Sequence, residues 1–318
     1  MWRSIAVCAF ALAASGAIAQ DFPTKPIRFV LTAVAGPGDS VGRLIAPGLT
    51  ERLRQQIIID GRSGANGTIA TDIVAKANPD GYTFLLSTNS FAITPSMYRK
   101  LPFDSVRDLA PVTLIATAGG LVMIVHPAVP VTSVKELIEF DKANPGKLSF
   151  GSAGVGNVTH MAGELFNMMA GTRLFHVPYK SAAPALMDLL GGHVSVMFPG
   201  TTQVLPHVKA GRVRPIGFTG MTRSKVLPEV PTLDELGLKG FDIASWFGLF
   251  APAKIPPRVL NYMRDNVAAV VKERSTSDML DSWGLTAVGS TPDEFRVFLK
   301  RDMDRYVRIV REAKIPQS

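Results

Sequence analysis

Two loops rich in glycine and hydroxyl groups are the parts of this sequence best suited to chemistry. They are the segments 33–40 (AVAGPGDS) and 151–160 (GSAGVGNVTH), and each stands between a strand-like apolar run and a segment of helical period. Glycine lets backbone N–H groups approach a ligand closely, and a helix N-terminus favours a negative charge. These loops therefore predict the binding of a small anion, such as a carboxylate or a phosphate.

Three shorter loops also carry hydroxyl, amide or backbone groups after strand-like runs. They are the segments 87–91 (STNSF), 178–182 (PYKSA) and 198–201 (FPGT). Ligands of open parallel sheets bind beyond the carboxyl ends of the strands, so these loops are expected to border the same site. Whether the aromatic residues in and near these loops line the site stays open, since such residues are more often part of a core.

No arrangement typical of an enzyme accompanies these loops. The sequence has 5 histidines, none of them in an HExxH motif, and its single cysteine is Cys8. Ser152 lies outside a G-x-S-x-G motif, and the sequence shows no partners that would make it a nucleophile. The loops also hold no pair of carboxylates for general acid–base catalysis. We expect a binding protein without catalytic residues, and an exported hydrolase that uses Ser152 is the remote alternative.

Two further sequence patterns bear on whether the protein has a metal or cofactor site. His160 and Glu164 lie one helical turn apart, but two ligands without a third are more typical of a surface or capping pair, so no metal is expected. The glycines of segment 36–42 (GPGDSVG), with Asp60 after the next strand, suggest a dinucleotide site. Its third glycine comes one place late, and an exported protein has no supply of nicotinamide cofactor, so no cofactor is expected.

The N-terminus has the pattern of a secretory signal peptide. Arg3 precedes an apolar run over residues 5–18, and Ala17-Ile18-Ala19 forms a small-x-small cleavage site. The run is shorter than the roughly 20 residues that a membrane span needs. We predict residues 1–19 as a signal peptide, cleavage after Ala19 and a periplasmic protein. The alternative is the first helix of a cytosolic protein.

Composition indicates a globular chain that does not bind nucleic acid. Of the 318 residues, 47% are hydrophobic and 19% charged, which excludes a disordered, collagen-like or coiled-coil chain as a whole. The formal net charge of +8 raises the question of nucleic acid, but basic residues are spread along the chain, often beside acids as in Arg301-Asp302. We therefore expect a solvated basic surface.

The elements that must position the loops are short strands alternating with helices. This alternation over residues 27–219 predicts βαβ units and mostly parallel sheets. The first helix is expected from Val41, with Asp39 or Ser40 as its N-cap. Residues 112–125 indicate two buried strands that Gly119-Gly120 interrupts, and residues beyond 256 are expected to be mainly helical.

Motifs along the whole mature chain resemble those of one known family. The motifs are FPTKPIR (22–28), AGPGD (35–39), NPDGYT (78–83), LPFD (101–104), ANPGKL (143–148), GSAG (151–154), HVPYK (176–180), PAL (184–186), LPEVPT (227–232), WFG (246–248) and GSTP (289–292). Together they resemble the Bug/TctC family, the extracytoplasmic solute-binding proteins of tripartite tricarboxylate transporters.

The resemblance implies an α/β protein of the type II periplasmic-binding-protein fold. In this fold two α/β lobes flank a central ligand cleft and are joined by two crossover strands. The first lobe would combine residues 20–120 with 245–318, and the second would span 121–244. The cleft would close around its ligand by a hinge motion. The implied partners are a small organic acid and the membrane subunits of the transporter. A ligand-sensing co-receptor of a sensor kinase needs the same cleft and is the alternative.

In the family, a ligand carboxylate is held deep in the cleft by backbone N–H groups and hydroxyls of both lobes. Carried over by position, the first lobe would contribute Ala35, Gly36, Gly38 and Asp39, together with Ser87, Thr88, Asn89 and Ser90. The second lobe would contribute Ser152, Asn157, Thr159, Ser181 and Ala182, and Pro199 of the fifth loop is added to them.

Three departures from the family pattern bear on the ligand. Pro37 replaces a usual glycine and removes one backbone donor, and Ser181 stands where the family usually has glycine. The segment 198–200 (FPG) stands where many members have Phe-Asp, so an acid that could hold a ligand ammonium is missing. We therefore expect amino acids such as aspartate to bind poorly. A mono- or dicarboxylate with an apolar or aromatic body is favoured.

Overall fold

The computed structural model describes residues 22–34 and 36–317, so the predicted signal peptide and Ala35 lie outside the described residues. The first lobe contains one sheet with its helices. In chain order its elements are β1 (Ile27–Leu31), α1 (Pro37–Leu53), β2 (Ile57–Gly61), the 3₁₀ helix Ala65–Gly67, α2 (Thr68–Ala75), β3 (Thr83–Thr88), α3 (Ser90–Met97) and β4 (Leu109–Ala118).

The second lobe follows without interruption, and the chain then returns to the first. The second lobe has β5 (Val122–Val125), α4 (Val134–Ala143), β6 (Ser149–Ser152), α5 (Val158–Ala170), β7 (Phe175–Pro178), α6 (Ala182–Leu190), β8 (Val196–Met197), α7 (Thr201–Lys209) and β9 (Arg214–Phe218). The returning chain adds β10 (Trp246–Pro252), α8 (Pro257–Lys272), α9 (Arg274–Ser282), β11 (Leu285–Ala287) and α10 (Pro292–Glu312) to the first lobe.

Both sheets are mixed. The first has the strand order β11-β4-β10-β3-β1-β2, and the second has the order β7-β6-β8-β5-β9. The predicted parallel pairing is present between β1 and its neighbours β2 and β3, and between β6 and its neighbours β7 and β8. Strands β10 and β5 run antiparallel to the strands beside them, because each enters its sheet from the other lobe.

The carboxyl ends of the central strands of the two sheets face each other. β4 runs parallel to β1 and β3, since β10 is antiparallel to both β3 and β4. Residues 119–121 alone separate the end of β4 from β5, which runs antiparallel to β8. This short link joins the edge where β1, β3 and β4 end to the edge where β6, β7 and β8 end. The loops after these strands therefore border one cleft.

Two helices differ from the sequence-based expectation. α1 begins at Pro37 and not at Val41, with Gly36 as its N-cap, so Asp39 lies inside the first turn and caps nothing. Proline suits a first helical position because its fixed φ is already helical. α3 begins at Ser90, within the segment 87–91 expected as a loop. Its buried side chains surround it on nearly all sides and leave no amphipathic period that would indicate a helix.

Side-chain caps mark the starts of two helices further along the chain. The Ser133 side chain accepts a hydrogen bond from the N–H of Glu136 at the start of α4. Thr291 and Glu294 form a complete capping box at the start of α10. The two strands expected within 112–125 are also present, with Gly119 and Gly120 between them.

The first crossing, residues 119–121, touches the chain just after β9 through backbone. A Cβ atom on Gly220 would lie 1.8 Å from the carbonyl oxygen of Gly119, and one on Gly120 would lie 2.5 Å from the nitrogen of Gly220. Thr219 links this first crossing to the second, since its Oγ1 accepts from the N–H of Leu121 at 2.6 Å and donates to the Ile243 carbonyl at 2.6 Å. Only glycine permits so close an approach of two backbones.

Helix α10 fixes the second crossing, the segment that leads into β10, to the first lobe. Asp302 accepts a hydrogen bond from the indole N–H of Trp246 at 2.7 Å and pairs with Arg305 at 3.0 Å. Arg305 also reaches Asp242 at 2.7 Å, within the crossing segment itself. Tyr306 receives a hydrogen bond from the amide of Asn89 at 3.0 Å. This polar network lies between α10, the crossing and the end of β3.

Burial raises the pKa of Asp302 to about 6, although Trp246 and Arg305 partly oppose the shift. Because the folded value lies above the unfolded one, the stabilising contribution is complete below about pH 4 and is lost as the pH rises through about 6. Asn cannot ionise. Between pH 4 and pH 7, the unfolding free energy of the wild type should therefore fall by about 3 kcal/mol relative to that of Asp302→Asn. Urea titration at each pH measures this.

The matched control for this experiment is Asp304→Asn. Asp304 lies on the same helix but is exposed and pairs with Lys300 at the surface. Its stability profile should run parallel to that of the wild type. Parallel profiles for Asp302→Asn as well would contradict the burial argument.

Candidate ligand-binding site

In the first lobe, the loops after β1, β2 and β3 pack against one another at the cleft. A Cβ atom on Gly67 would lie 2.9 Å from Cγ2 of Thr32 and 3.2 Å from Oγ of Ser90. A Cβ atom on Gly38 would lie 3.5 Å from Cγ2 of Thr88. The first turn of α1, the 3₁₀ helix and the start of α3 are therefore immediate neighbours.

Several helices begin at the cleft edge with no side-chain cap. These are α1 at Gly36, α3 at Asn89, α6 at Ser181 and α7 at Gly200. The first N–H groups of a helix have no partner within it, and the helix dipole adds partial positive charge there. Gly36 and Ser181 are exposed, so a ligand can reach the helix starts beside them. The arrangement can bind an anion from both lobes without a basic side chain.

The predicted side chains of the first loop do not all face a ligand. Asp39 is paired with Arg43 of the same helix, with 2.8 Å between Oδ2 and Nε. Gly36 has φ 106°, and a Cβ atom there would meet nothing within 4 Å, so its surroundings are open. Ala35 lies outside the described residues. The backbone N–H groups of this loop are thus available to a ligand, whereas the Asp39 carboxylate is already paired.

The segment after β3 divides its side chains between two roles. The hydroxyls of Thr88 and Ser90 lie 3.4 Å apart beside the start of α1. Ser87 is fully buried, and its hydroxyl has no hydrogen-bond partner within the described residues. The Asn89 amide donates to the Ala244 carbonyl at 2.9 Å and to Tyr306, and accepts from the N–H of Trp246 at 3.2 Å. Asn89 thus secures the crossing.

In the second lobe, the predicted polar side chains shape the loop between β6 and α5. The Thr159 hydroxyl accepts from the N–H of Ala153 at 2.9 Å, and Asn157 caps α5 by accepting from the N–H of Thr159 at 3.0 Å. The Oγ of Ser152, which is buried, lies 2.6 Å from Nε2 of His176. These contacts fix the backbone of residues 152–159 at the cleft.

The remaining predicted residues lie around the starts of α6 and α7. Ser181 is exposed at the N-cap of α6, and Ala182 is the first residue of that helix. Pro199 is buried, and its carbonyl accepts from the N–H of Val122 at 2.9 Å. The aromatic side chains left open by the sequence, Phe91 and Phe198 among them, are buried in the core.

Two histidines that the sequence does not connect support the glycine loop, residues 151–160 between β6 and α5. Nδ1 of His160 accepts from the N–H of Gly156 at 3.2 Å, and its Nε2 faces Glu164 at 3.4 Å. The rings of His160 and His176 stack with centroids 3.9 Å apart. Phe150 stacks on His176 at 4.8 Å, because the two residues are register partners in β6 and β7. The separate helix and strand signals could not reveal this contact.

His176 supplies the third member that the His160–Glu164 pair lacks in the sequence. Ligand atoms of the three residues lie within 4.8 Å of one another. A metal needs a free lone pair, whereas His160 accepts at Nδ1 and so carries its proton at Nε2, toward Glu164. Lone pairs lie in the ring planes, so two stacked rings cannot both aim at one ion. The geometry favours a hydrogen-bonded cluster that holds the loop.

The same contacts bear on Ser152 as a nucleophile. His176 is a partner that the sequence did not reveal, but burial, helped by His160, lowers the pKa of His176 to about 3. A general base works best with a pKa near the operating pH. Ser152 is also fully buried, so a substrate cannot reach its hydroxyl. The pair is therefore suited to positioning the loop.

The depressed pKa of His176 makes the second lobe sensitive to acid. Because the folded value lies below the unfolded one, the stabilising contribution is present above about pH 6.5 and is lost as the pH falls toward 3. His176→Gln cannot gain this charge, so its unfolding temperature should fall less steeply in acid than that of the wild type. Circular dichroism melts from pH 7.5 to 3.5 measure this.

The control is His193→Gln, which removes an exposed imidazole of the same lobe. It should keep the acid sensitivity of the wild type. If His176→Gln also keeps it, the neutral, buried state assigned to His176 is wrong.

Among the helices of the described residues, none has the length and apolar character needed to cross a membrane. A family model described as "Tripartite tricarboxylate transporter family receptor" (TctC) matches residues 41–315. Protein BugT of Bordetella pertussis is 32% identical over 320 aligned residues, which cover 98% of this chain and 98% of BugT.

Solved structures have the same fold. The structure of Rpa4515 of R. palustris with adipate has a TM-score of 0.84 and 33% identity, and covers 94% of this chain and 100% of that one. MatC of Rhodopseudomonas palustris with bound malate has a TM-score of 0.80 and 26% identity, and covers 91% of this chain and 100% of that one. The matching family model describes receptors, which are binding proteins and not enzymes. The chain is an extracytoplasmic solute-binding protein, and it belongs to the TctC family of tripartite tricarboxylate transporter receptors.

Proposed function

We propose that this protein captures a small organic carboxylate by closing its cleft and delivers it to the membrane subunits of a tripartite transporter. The observation that carries the proposal is the set of uncapped helix N-termini that meet at the cleft edge from both lobes. Such termini bind anions through backbone N–H groups. Similar proteins were solved with adipate and with malate, which are both dicarboxylates.

We also propose the chain's division into parts. Residues 1–19 are removed on export by cleavage after Ala19, residues 20–120 and 245–318 make the first lobe, and residues 121–244 make the second. The division falls at the two crossings, which Thr219 links through its bonds to Leu121 and to the Ile243 carbonyl. Closing would then bring the loop 36–38 toward the loop 152–159.

The ligand class follows from the charges at the cleft. An amino-acid ligand would need an acid for its ammonium group, and Asp39 is already paired with Arg43. The segment 198–200 offers no acid either. Val34 and Val155 are exposed beside the anion-binding loops and favour an apolar ligand body. A mono- or dicarboxylate with an apolar or aromatic body fits these surroundings better than aspartate does.

The first test is a thermal-shift and calorimetry screen of the chain from Gln20, refolded from denaturant to remove any ligand that co-purifies. Adipate, malate, benzoate, nicotinate and aspartate are the probes. A bound carboxylate at 100 times its dissociation constant should add about 2.7 kcal/mol and raise the melting temperature by several degrees. Aspartate should bind least. No shift with any of the carboxylates, or aspartate as the tightest ligand, would count against the proposed class.

The second test removes one helix N–H donor. Ala182 is the first residue of α6, where proline fits because that N–H has no partner within the helix. Ser181 before it is already extended, as a residue before proline must be. Ala182→Pro should weaken carboxylate binding by roughly tenfold or more, since hydrogen bonds to charged groups are strong. Its melting temperature without ligand should change little.

Arg274→Pro is the matched control. Arg274 is the exposed first residue of α9, beside Glu273, which faces Arg52 near the end of α1 and away from the cleft. It should leave carboxylate affinity unchanged. Equal affinities of Ala182→Pro and Arg274→Pro would show that the start of α6 does not hold the ligand.

A further inference from the structure

Asn66 of the first lobe and Gly156 of the second meet across the cleft. The Nδ2 of Asn66 donates a hydrogen bond to the Gly156 carbonyl at 3.0 Å. Asn66 lies in the 3₁₀ helix between β2 and α2, and Gly156 lies in the glycine loop between β6 and α5. The bond therefore joins two loops that border the proposed ligand from opposite sides.

Asn66 is held in position from its own lobe. Its backbone is left-handed, with φ 52° and ψ 36°, a conformation that asparagine tolerates better than most residues. The Thr94 hydroxyl of α3 donates to the Asn66 carbonyl at 3.3 Å and lies 3.4 Å from its Nδ2. The amide is thus directed at the second lobe by contacts that do not depend on closure.

Gly156 is held equally firmly from the second lobe. Its N–H is bound by His160, whose ring is fixed by Glu164 and by stacking on His176. Its φ is +77°, and a Cβ atom there would lie 3.1 Å from Nδ2 of Asn66 and 3.5 Å from Cγ of Met97. The histidine cluster therefore presents the Gly156 carbonyl to the first lobe, and the absent side chain lets the lobes approach.

We propose that the hydrogen bond from Asn66 to Gly156 is a closure latch that sets how long a ligand is retained. The inference rests on the proposed function, since it assumes a cleft that closes around a carboxylate. Opening at the crossings separates the two lobes and must break this bond, whereas the bonds that hold each partner within its own lobe persist. The latch acts on the closed state and so on the dissociation rate, with little effect on association.

The central variant is Asn66→Gly, which keeps the left-handed backbone and removes the amide. Asn66→Asp keeps the shape of the side chain but has no N–H to donate at neutral pH. Asn144→Gly is the matched control, because within the described residues the side-chain amide of Asn144 bonds only to the Phe140 carbonyl of α4. Melting temperatures of all three confirm that each variant is folded before it is compared.

The readout is the distance between spin labels on the two lobes, measured by pulsed electron paramagnetic resonance. The chain from Gln20 has no cysteine, so Glu51→Cys on α1 and Met187→Cys on α6 give one specific pair. Without ligand, Asn66→Gly and Asn66→Asp should shift the distribution toward longer distances than in the wild type. Asn144→Gly should match the wild type. An unchanged distribution in both Asn66 variants would overturn the latch.

Stopped-flow measurement with adipate adds the kinetic arm. The dissociation rate of Asn66→Gly should rise roughly three- to tenfold, the range expected for one net hydrogen bond, with an association rate close to that of the wild type. An unchanged dissociation rate would overturn the role in retention. If adipate binds neither protein while the label distances still shift, the latch stands and the proposed ligand is wrong.

Discussion

The contact of the first crossing with the chain after β9, and through Thr219 with the second crossing, is the constraint on which the rest of the structure depends. Gly120 and Gly220 approach so closely that neither can carry a side chain, and Thr219 bonds the segments together. This contact places the carboxyl ends of two separate sheets opposite each other. Every loop that could touch a ligand inherits its position from that arrangement, and the polar network of α10 holds one crossing to the first lobe.

The cleft attracts negative charge through helix N-termini and not through basic side chains. Helix N-termini from both lobes supply unpartnered N–H groups, while the acid in the first loop, Asp39, is neutralised by Arg43. Polar side chains of the second lobe, such as Ser152 and Thr159, are occupied in fixing the loop backbone. Binding by a preformed backbone costs little ordering of side chains, which suits a receptor that must release its ligand again.

Local patterns allowed much of the fold and the site loops to be predicted, and long-range contacts account for the rest. Strand–helix alternation and the capping residues Ser133 and Thr291 are local signals, and the structure agrees with them. The buried helix α3 has no amphipathic period, so its start fell within a segment, 87–91, that was expected as a loop. The link between Ser152 and His176 depends on the register of two strands, and the contacts of Asn89 depend on the path of α10. Neither can be read from spacing along the chain.

The most direct test of the account is a titration of the refolded, ¹⁵N-labelled chain with a binding carboxylate, followed by the NMR shifts of backbone amides. The account predicts the largest downfield shifts at the starts of the four helices α1, α3, α6 and α7, because their N–H groups would gain an anionic acceptor. Amides of α9 should shift little. The largest shifts at amides away from the cleft edge, with none at these helix starts, would contradict it.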